Sequence, residues 1–175
     1  MKHKISFLLV IIILAQFISC TDDEAYDPVN EPLPLATTTG ANTFGFLLND
    51  KTWLPYSEDK KLNPLNVVMD NDSSFMFSIN LESEKINRNE SIKIFLRCNK
   101  IGPCIPSTFT FVNIKNKLGC HIFYLTNSNL QFEITRLDYT AQIISGSFEM
   151  LGAVNSCSTE SINITKGVFD CKFSK

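Results

Sequence analysis

The sequence predicts an all-β domain, and three observations carry that prediction. From residue 42 onward, apolar and polar residues alternate with period two, which is the pattern of strands with one buried face. No amphipathic helix pattern interrupts these segments. About nine or ten of them follow one another at ~10–15-residue intervals, and connections this short favour antiparallel pairing. We therefore expect an antiparallel β-sandwich, with a flattened up-and-down β-barrel as the alternative, because both folds show the same alternation.

The first two strands are predicted to form a hairpin. Residues 43–48 and 51–54 contain many apolar side chains, and only Asn49 and Asp50 separate them, a pair that suits a two-residue turn. Trp53, the single tryptophan, is expected to pack in the core or at its rim. If Trp53 proved exposed, a platform for stacking a sugar ring would be the alternative.

The later strands continue the pattern, with two kinds of interruption. A polar loop is expected over residues 82–90. Gly45, Gly146 and Gly167 lie inside strand patterns, where glycine indicates a bulge or a close approach of two backbones.

The expected core is rich in phenylalanine, of which the chain has 14. In the last strand, Asp170 and Lys172 are expected on the outer face. The residues predicted to face the core are Phe75, Phe77, Ile79, Leu81, Ile92, Ile94, Leu96, Leu130, Phe132, Ile134, Ile144, Phe148, Met150, Phe169, Cys171 and Phe173.

The chain begins with a segment typical of a bacterial lipoprotein signal. A short basic start precedes an apolar stretch over residues 5–18, which is shorter than the ~20 residues of a spanning helix. Ser19 and Cys20 follow, and a cysteine directly after a small residue at such a cut becomes a lipid-modified N-terminus. We expect residues 1–19 to be removed as a signal peptide and Cys20 to be acylated. An ordinary secretory signal and an uncleaved anchor are the alternatives.

Residues 20–41 are expected to form a lipidated tether that packs against nothing, because they are rich in proline, acidic residues and threonine. Asp22, Asp23 and Glu24 resemble the export signal of Bacteroidota surface lipoproteins. That resemblance implies display on the outer face of the outer membrane, with a solvated charged linker as the alternative. The β domain would span residues 42–175 and contact the membrane only through the lipid.

The cysteines point to disulfide bonds. Apart from Cys20, five of the six cysteines belong to the domain, and an exported chain permits disulfides. Because five is odd, at most two bonds form and one thiol stays free. A Gly-Pro turn favours a bond between Cys98 and Cys104, while the spacings match no zinc module. The disulfide candidates are Cys98, Cys104, Cys120, Cys157 and Cys171.

No specific catalytic motif follows the signal segment. His121, the one histidine that remains after cleavage, is expected to be a structural residue on a sheet face. The run Asp70-Asn71-Asp72 lacks the glycine and the distal glutamate of a calcium-binding loop, so we expect a turn there. The formal net charge of −2, without a basic patch, argues against a nucleic-acid partner. We expect no metal and no cofactor.

Both ends of the domain resemble a family of Bacteroidota lipoproteins that carry a C-terminal domain of unknown function. The first stretch is T-G-A-N-T-F-G at residues 39–45, followed by the turn before Trp53. The second comprises I-S-G-S-F-E at residues 144–149 and I-T-K-G-V-F-D at residues 164–170. The resemblance implies an outer-membrane lipoprotein with a β domain, and it transfers no activity and no site residues.

These observations lead to two expectations about function. The first is a non-enzymatic surface module that binds a glycan or a protein partner, or serves as an accessory part of an outer-membrane assembly. The alternative is a small carbohydrate-active or other hydrolytic enzyme. An exposed aromatic strip without nearby carboxylates would favour binding, whereas two carboxylates across a groove would favour the enzyme.

Overall fold

The computed structural model describes residues 31–59, 61–70, 74–83, 88–104, 106–113, 123–124, 130–154 and 161–175. All regular structure in these ranges is β-strand. No helix among them is long and apolar enough to cross a membrane. The strands are β1 (Thr43–Leu48), β2 (Lys51–Trp53), β3 (Tyr56–Ser57), β4 (Leu65–Met69), β5 (Ser74–Ser83), β6 (Arg88–Arg97), β7 (Gly102–Cys104), β8 (Pro106–Asn113), β9 (Phe123–Tyr124), β10 (Leu130–Asp138), β11 (Ile143–Val154) and β12 (Ser161–Lys172).

The strands form two sheets that face each other. Sheet A has the order β2-β1-β12-β11-β10-β7, and sheet B has the order β3-β5-β6-β8-β9, with β4 also paired to β5. All strand pairs are antiparallel except β3 with β5. The predicted antiparallel sandwich is confirmed, and neither sheet closes into the barrel that was the alternative. The described ranges hold more strands than expected, because β3, β7 and β9 are only two or three residues long.

The inner faces of the two sheets meet in one aromatic core. Phe77 of sheet B packs edge-on against Phe169 of sheet A, with ring centroids 5.4 Å apart. Phe75 and Phe173 make a similar contact at 5.2 Å. All 16 residues that the sequence predicts to face the core are buried. Trp53 is buried as well, so the prediction of core packing is confirmed and the sugar-stacking alternative is wrong.

Local backbone geometry explains the first hairpin and the strand glycines. Asn49 and Asp50 have φ values of 46° and 64°, the two positive angles of the predicted two-residue turn. A Cβ atom on Gly146 would overlap the Glu133 carbonyl oxygen, and one on Gly167 would lie 2.5 Å from the Phe148 carbonyl oxygen. The predicted close backbone approaches are therefore confirmed at both positions.

Two expectations about irregular segments need correction. The polar loop expected over residues 82–90 is shorter, since β5 reaches Ser83 and β6 begins at Arg88. Residues 31–41, called here the N-terminal segment, contain no strand, yet they pack on sheet A. A Cβ atom on Gly45 would lie 2.9 Å from Pro34 Cδ, which shows how closely this segment covers β1.

The two sheets are joined at two corners. Cys98 directly follows β6 of sheet B, and Cys104 ends β7 of sheet A; their Cα atoms are 5.9 Å apart, and their sulfur atoms are bonded. The predicted pairing is therefore confirmed. At another corner, Ser174 N–H donates to the Val67 carbonyl at 3.0 Å, and Met69 N–H donates to the Ser174 carbonyl at 2.8 Å.

Candidate functional site

A groove of about 520 Å³ crosses the outer face of sheet A over β7, β10, β11 and β12, and it is called here the sheet A groove. Five side chains with hydrogen-bonding groups line it. Gln131 and Glu133 come from β10, Ser147 and Glu149 from β11, and Lys166 from β12. The side chains of the two glutamates, Gln131 and Lys166 are exposed, so a ligand can reach them from solvent.

The strand pattern explains why these polar groups share one face. In β10, Leu130, Phe132 and Ile134 point to the core, which turns Gln131 and Glu133 outward. Alternation in β11 does the same for Ser147 and Glu149. Because Gln131 pairs with Glu149 and Glu133 with Ser147, the two carboxylates are diagonal neighbours, on residues roughly 7–8 Å apart.

A bulge in β12 adds the positive charge. Gly167 pairs with Phe148 and Ile164 pairs with Met150, so Thr165 and Lys166 together stand opposite the single residue Glu149. Lys166 has a φ of 52°, a left-handed conformation that is uncommon for lysine. Bulges of this kind redirect a side chain. Here the bulge places a cation beside the strand that carries Glu149.

A second arrangement, beside the sheet A groove, surrounds Asp170. Its side chain is 1% exposed although it lies on the outer face of β12, because the N-terminal segment covers it. The donors to its two carboxylate oxygens are Thr37 Oγ1 (2.5 Å), Thr39 N (2.9 Å), Thr39 Oγ1 (3.3 Å), Gly40 N (2.8 Å), Ala41 N (3.1 Å) and Ser145 Oγ (2.6 Å). Gly40 has a φ of 75°, and successive backbone N–H groups in such a turn converge on an anion.

The hydrogen bonds decide the charge of Asp170. Burial raises the pKa of its carboxyl, but hydrogen bonds from Ser145, Thr37, Ala41 and Gly40 outweigh burial and hold the pKa well below its usual range. The carboxylate is therefore ionised and fully engaged, which suits a structural role and not proton transfer.

Arg136 holds the same loop from β10. Its guanidinium donates to the Thr38 carbonyl and also contacts the Asp138 carboxylate at 2.7 Å. Hydrogen bonds from the Ala141 backbone and from Arg136 lower the pKa of Asp138. The two sequence stretches that carry the family resemblance thus meet in space, since residues 39–41 donate to the last residue of I-T-K-G-V-F-D.

The buried Trp53–Glu90 pair and the buried Cys171 thiol both suit a structural role. The Trp53 indole N–H donates to Glu90 Oε2 at 2.7 Å, and both residues are buried between the sheets. The Cys171 thiol is free and buried, and burial together with the nearby Asp170 charge raises its pKa to about 12. A thiol in such surroundings is unreactive.

Several predicted site residues lie outside the described residues. These are Cys20, Asp22, Asp23, Glu24, Cys120, Cys157 and His121, together with Asn71 and Asp72. The described part of the chain holds no group of three or more residues that could bind a metal.

Sequence reasoning did not find the sheet A groove. The predicted core positions Leu130, Phe132 and Ile134 imply that Gln131 and Glu133 face outward, but alternation alone does not connect these two residues to Glu149 or Lys166. The usable signal was the presence of polar residues on the outer faces of two long neighbouring strands. The register between those strands was not available from the sequence.

The fold and the groove define an antiparallel β-sandwich with a polar outer face. No protein-family model, no curated protein and no solved structure matches the chain.

Proposed function

We propose that this protein is a non-enzymatic binding module, held at the cell surface by a lipid and using the sheet A groove as its binding face. One observation carries the proposal: side chains from three adjacent strands bring two carboxylates, an ammonium, a carboxamide and a hydroxyl to one open groove. Rigid strands hold binding groups more precisely than loops do.

The groove suits a ligand with many hydroxyl groups. Glu133 and Glu149 accept hydrogen bonds from such hydroxyls, while Lys166 and Gln131 donate to ring or hydroxyl oxygens. A glycan offers both in repeated form, and the groove volume of about 520 Å³ lies within the usual range for ligand sites. A glycan is therefore the ligand that we favour over a protein partner.

The location rests on the N-terminal sequence. The apolar stretch that precedes Cys20 supports lipid anchoring, and the acidic run Asp22, Asp23 and Glu24 supports export to the outer face of the outer membrane. The resemblance to Bacteroidota lipoproteins is consistent with both. Several acyl chains on one cysteine give stable anchoring, because a single chain binds membranes only marginally.

A small carbohydrate hydrolase is the second candidate, because Glu133 and Glu149 share one groove. Both carboxylates are exposed, however. Glycosidases commonly enclose their catalytic acid in an apolar pocket, whereas these two side chains are open to solvent. Binding without hydrolysis is therefore the better supported function.

Titration of the purified chain with a panel of bacterial and plant polysaccharides, followed by calorimetry, tests the proposal. We expect binding to one polysaccharide class, at least a tenfold loss in the Glu133→Gln and Lys166→Ala variants, and no loss in Lys93→Ala on the outer face of sheet B. Reducing-end analysis of the same mixtures separates the candidates. Release of new reducing ends would establish the hydrolase, and equal binding by all variants would remove the groove as the site.

Mass spectrometry of the mature N-terminus tests the anchor. We expect a chain that starts at acylated Cys20, and a Cys20→Ser variant that is lost from the membrane fraction. Protease treatment of intact cells should degrade the wild-type domain if it is displayed outside. An unmodified Cys20 would contradict the anchor, and full protection in intact cells would contradict surface display.

A further inference from the structure

A second cavity, of about 430 Å³, lies where the N-terminal segment meets the start of β1 and the start of β4, and it is called here the proline pocket. Four separate parts of the chain build it, and three of them supply prolines. Pro32 and Pro34 come from the N-terminal segment, Pro55 follows β2, and Pro64 precedes β4. The pocket shares no lining residue with the sheet A groove.

Thr43, one of the residues that line the proline pocket, carries a buried hydroxyl without a hydrogen-bond partner. Among the buried side-chain nitrogen and oxygen atoms of the described residues, Thr43 Oγ1 is the one without a hydrogen-bond partner. Leaving a buried hydroxyl unpaired costs free energy, so such a group needs an explanation. The rest of Thr43 is partly exposed, and rotation about its χ1 angle exchanges the hydroxyl and the methyl group between staggered positions. A ligand oxygen in the pocket can therefore supply the missing partner.

Two carboxamides add hydrogen-bond donors. Asn42 Oδ1 accepts from Lys172 N–H at 2.8 Å, and Asn63 Oδ1 accepts from Leu65 N–H at 3.2 Å. With each oxygen engaged by the backbone, the NH₂ group of each side chain is left to donate outward. Both asparagines are exposed at the pocket. The polar groups of the pocket therefore favour an acceptor oxygen on the ligand.

The rest of the lining fixes the character of the ligand. Apart from these three polar residues, the walls are proline rings and the apolar side chains Phe44, Leu54 and Leu65, and no charged residue lines the pocket. This lining favours a neutral ligand, because an ion would give up part of its hydration here without gaining a countercharge. The ligand must also carry an apolar group close to its acceptor oxygen.

We propose that the proline pocket binds an N-acetylated sugar. The acetamido methyl group would pack on the proline and leucine walls, while its carbonyl oxygen accepts from the Thr43 hydroxyl. The asparagine NH₂ groups would donate to other oxygens of the sugar. The sugar hydroxyls would face the open side. Because Pro32 and Pro34 form one wall, such a ligand also holds the N-terminal segment on the sandwich, so binding and docking of this segment stabilise each other.

Thermal unfolding of the purified full chain tests the proposal, with N-acetylglucosamine and N-acetylgalactosamine as probes. We expect at least one of them to raise Tm by ~2–4 °C at about five times its Kd. Glucose and galactose, which lack the acetamido group, should leave Tm unchanged. Deuterium uptake of residues 31–41 should fall in the presence of the same probe.

The Thr43→Val variant is the decisive control. It removes an unpaired hydroxyl without changing the side-chain shape, so its Tm without ligand should equal or exceed that of the wild type, while the probe-induced rise disappears. Thr43→Ser should keep the rise. Thr52→Val, a change in neighbouring β2 away from the pocket, should keep it as well.

Three results would overturn this assignment. They are an absent Tm rise with both probes, an equal rise with glucose or galactose, and an undiminished rise in Thr43→Val. The assignment is independent of the sheet A groove, because Glu133→Gln should leave the probe-induced rise intact. If polysaccharides fail to bind at the sheet A groove, the proposal for the proline pocket is unaffected.

Discussion

Gly40 and Asp170 are 130 residues apart in the sequence, yet the Gly40 backbone N–H donates to Asp170 Oδ1 at 2.8 Å. Together with the other donors from residues 37–41, this contact fastens the N-terminal segment to β12. A carboxylate on the outer face of a sheet thereby becomes a buried anchor point. The stability of the sandwich should depend on it more than on any exposed carboxylate.

Replacement of Asp170 tests that dependence. Asp170→Asn keeps the side-chain shape but removes the charge and turns one acceptor into a donor that faces other donors. We expect a loss of about 3 kcal/mol in the free energy of unfolding. Hydrogen bonds to charged groups are worth roughly 1.5–3 kcal/mol each, and some of the donors around residue 170 can find other acceptors. Urea unfolding measures the loss. Glu149→Gln, an exposed carboxylate on β11, is the matched control and should change little; equal losses would contradict the role of Asp170.

The same residue predicts how stability depends on pH. The folded-state pKa of Asp170 lies below the ~3.9 of an unfolded aspartate. Its contribution is therefore fully present above about pH 4 and is lost as the pH falls toward the folded-state value. Urea midpoints at about pH 7, 5 and 3 should show the gap between wild type and Asp170→Asn narrowing only at the lowest pH. A gap that stays constant would mean that this carboxylate is not the group responsible.

The buried hydrogen bond between Trp53 and Glu90 predicts that replacing Glu90 destabilises the fold, whereas replacing an exposed glutamate does not. Glu90→Ala leaves the indole N–H without its acceptor at 2.7 Å, which should cost about 1–3 kcal/mol. Because Trp53 is the single tryptophan, its fluorescence reports both the folded environment and the unfolding midpoint. Glu82→Ala, at an exposed position of β5, should leave the emission and the midpoint unchanged. Identical behaviour of the two variants would show that the indole contact contributes nothing.

The disulfide predicts a modest effect of reduction. Cys98 and Cys104 are six residues apart, and closing so small a loop is worth ~2 kcal/mol. The double variant Cys98→Ser/Cys104→Ser should therefore fold with a lower urea midpoint. A reductant should lower the wild-type midpoint by the same amount. If the reductant also lowers the midpoint of the double variant, that additional decrease comes from other cysteines. An unchanged midpoint in the double variant would contradict this prediction.

The two faces of β12 predict different effects of mutation. Phe169 is buried against Phe77 and Phe132, whereas Lys172 is exposed. Phe169→Ala should cost ~3–5 kcal/mol, and Lys172→Ala should have little effect on the unfolding midpoint. If the lysine variant were as unstable as the phenylalanine variant, the two faces of β12 would be wrongly assigned.

Long strands could be predicted from the sequence because they contain enough residues to show alternation between buried and exposed side chains. In β10, five consecutive residues from Leu130 to Ile134 alternate without exception. The short strands β3, β7 and β9 escape such reasoning, because two or three residues cannot display a period. The sequence also predicts Glu90 in a loop, because a glutamate is expected to be exposed unless its buried partner is known. That partner, Trp53, lies 37 residues earlier.

The candidate sites depend on long-range register and therefore could not be predicted. The sheet A groove needs Lys166 in a left-handed bulge opposite Glu149, and nothing in the local sequence specifies that register. The burial of Asp170 needs the N-terminal segment to fold back over β12. Alternation correctly placed Asp170 on the outer face but could not show that this face is covered there.

The position of β12 within sheet A has a mechanical consequence. This strand is hydrogen-bonded to β1 on one side and to β11 on the other, so tension on the N-terminal segment reaches the sheet at an interior strand. Two ladders of hydrogen bonds therefore hold the strand that receives the tension. A pull that entered at an edge strand would instead peel one ladder apart bond by bond. Attachment of the N-terminal segment to an interior strand should therefore resist pulling better than attachment to an edge strand would.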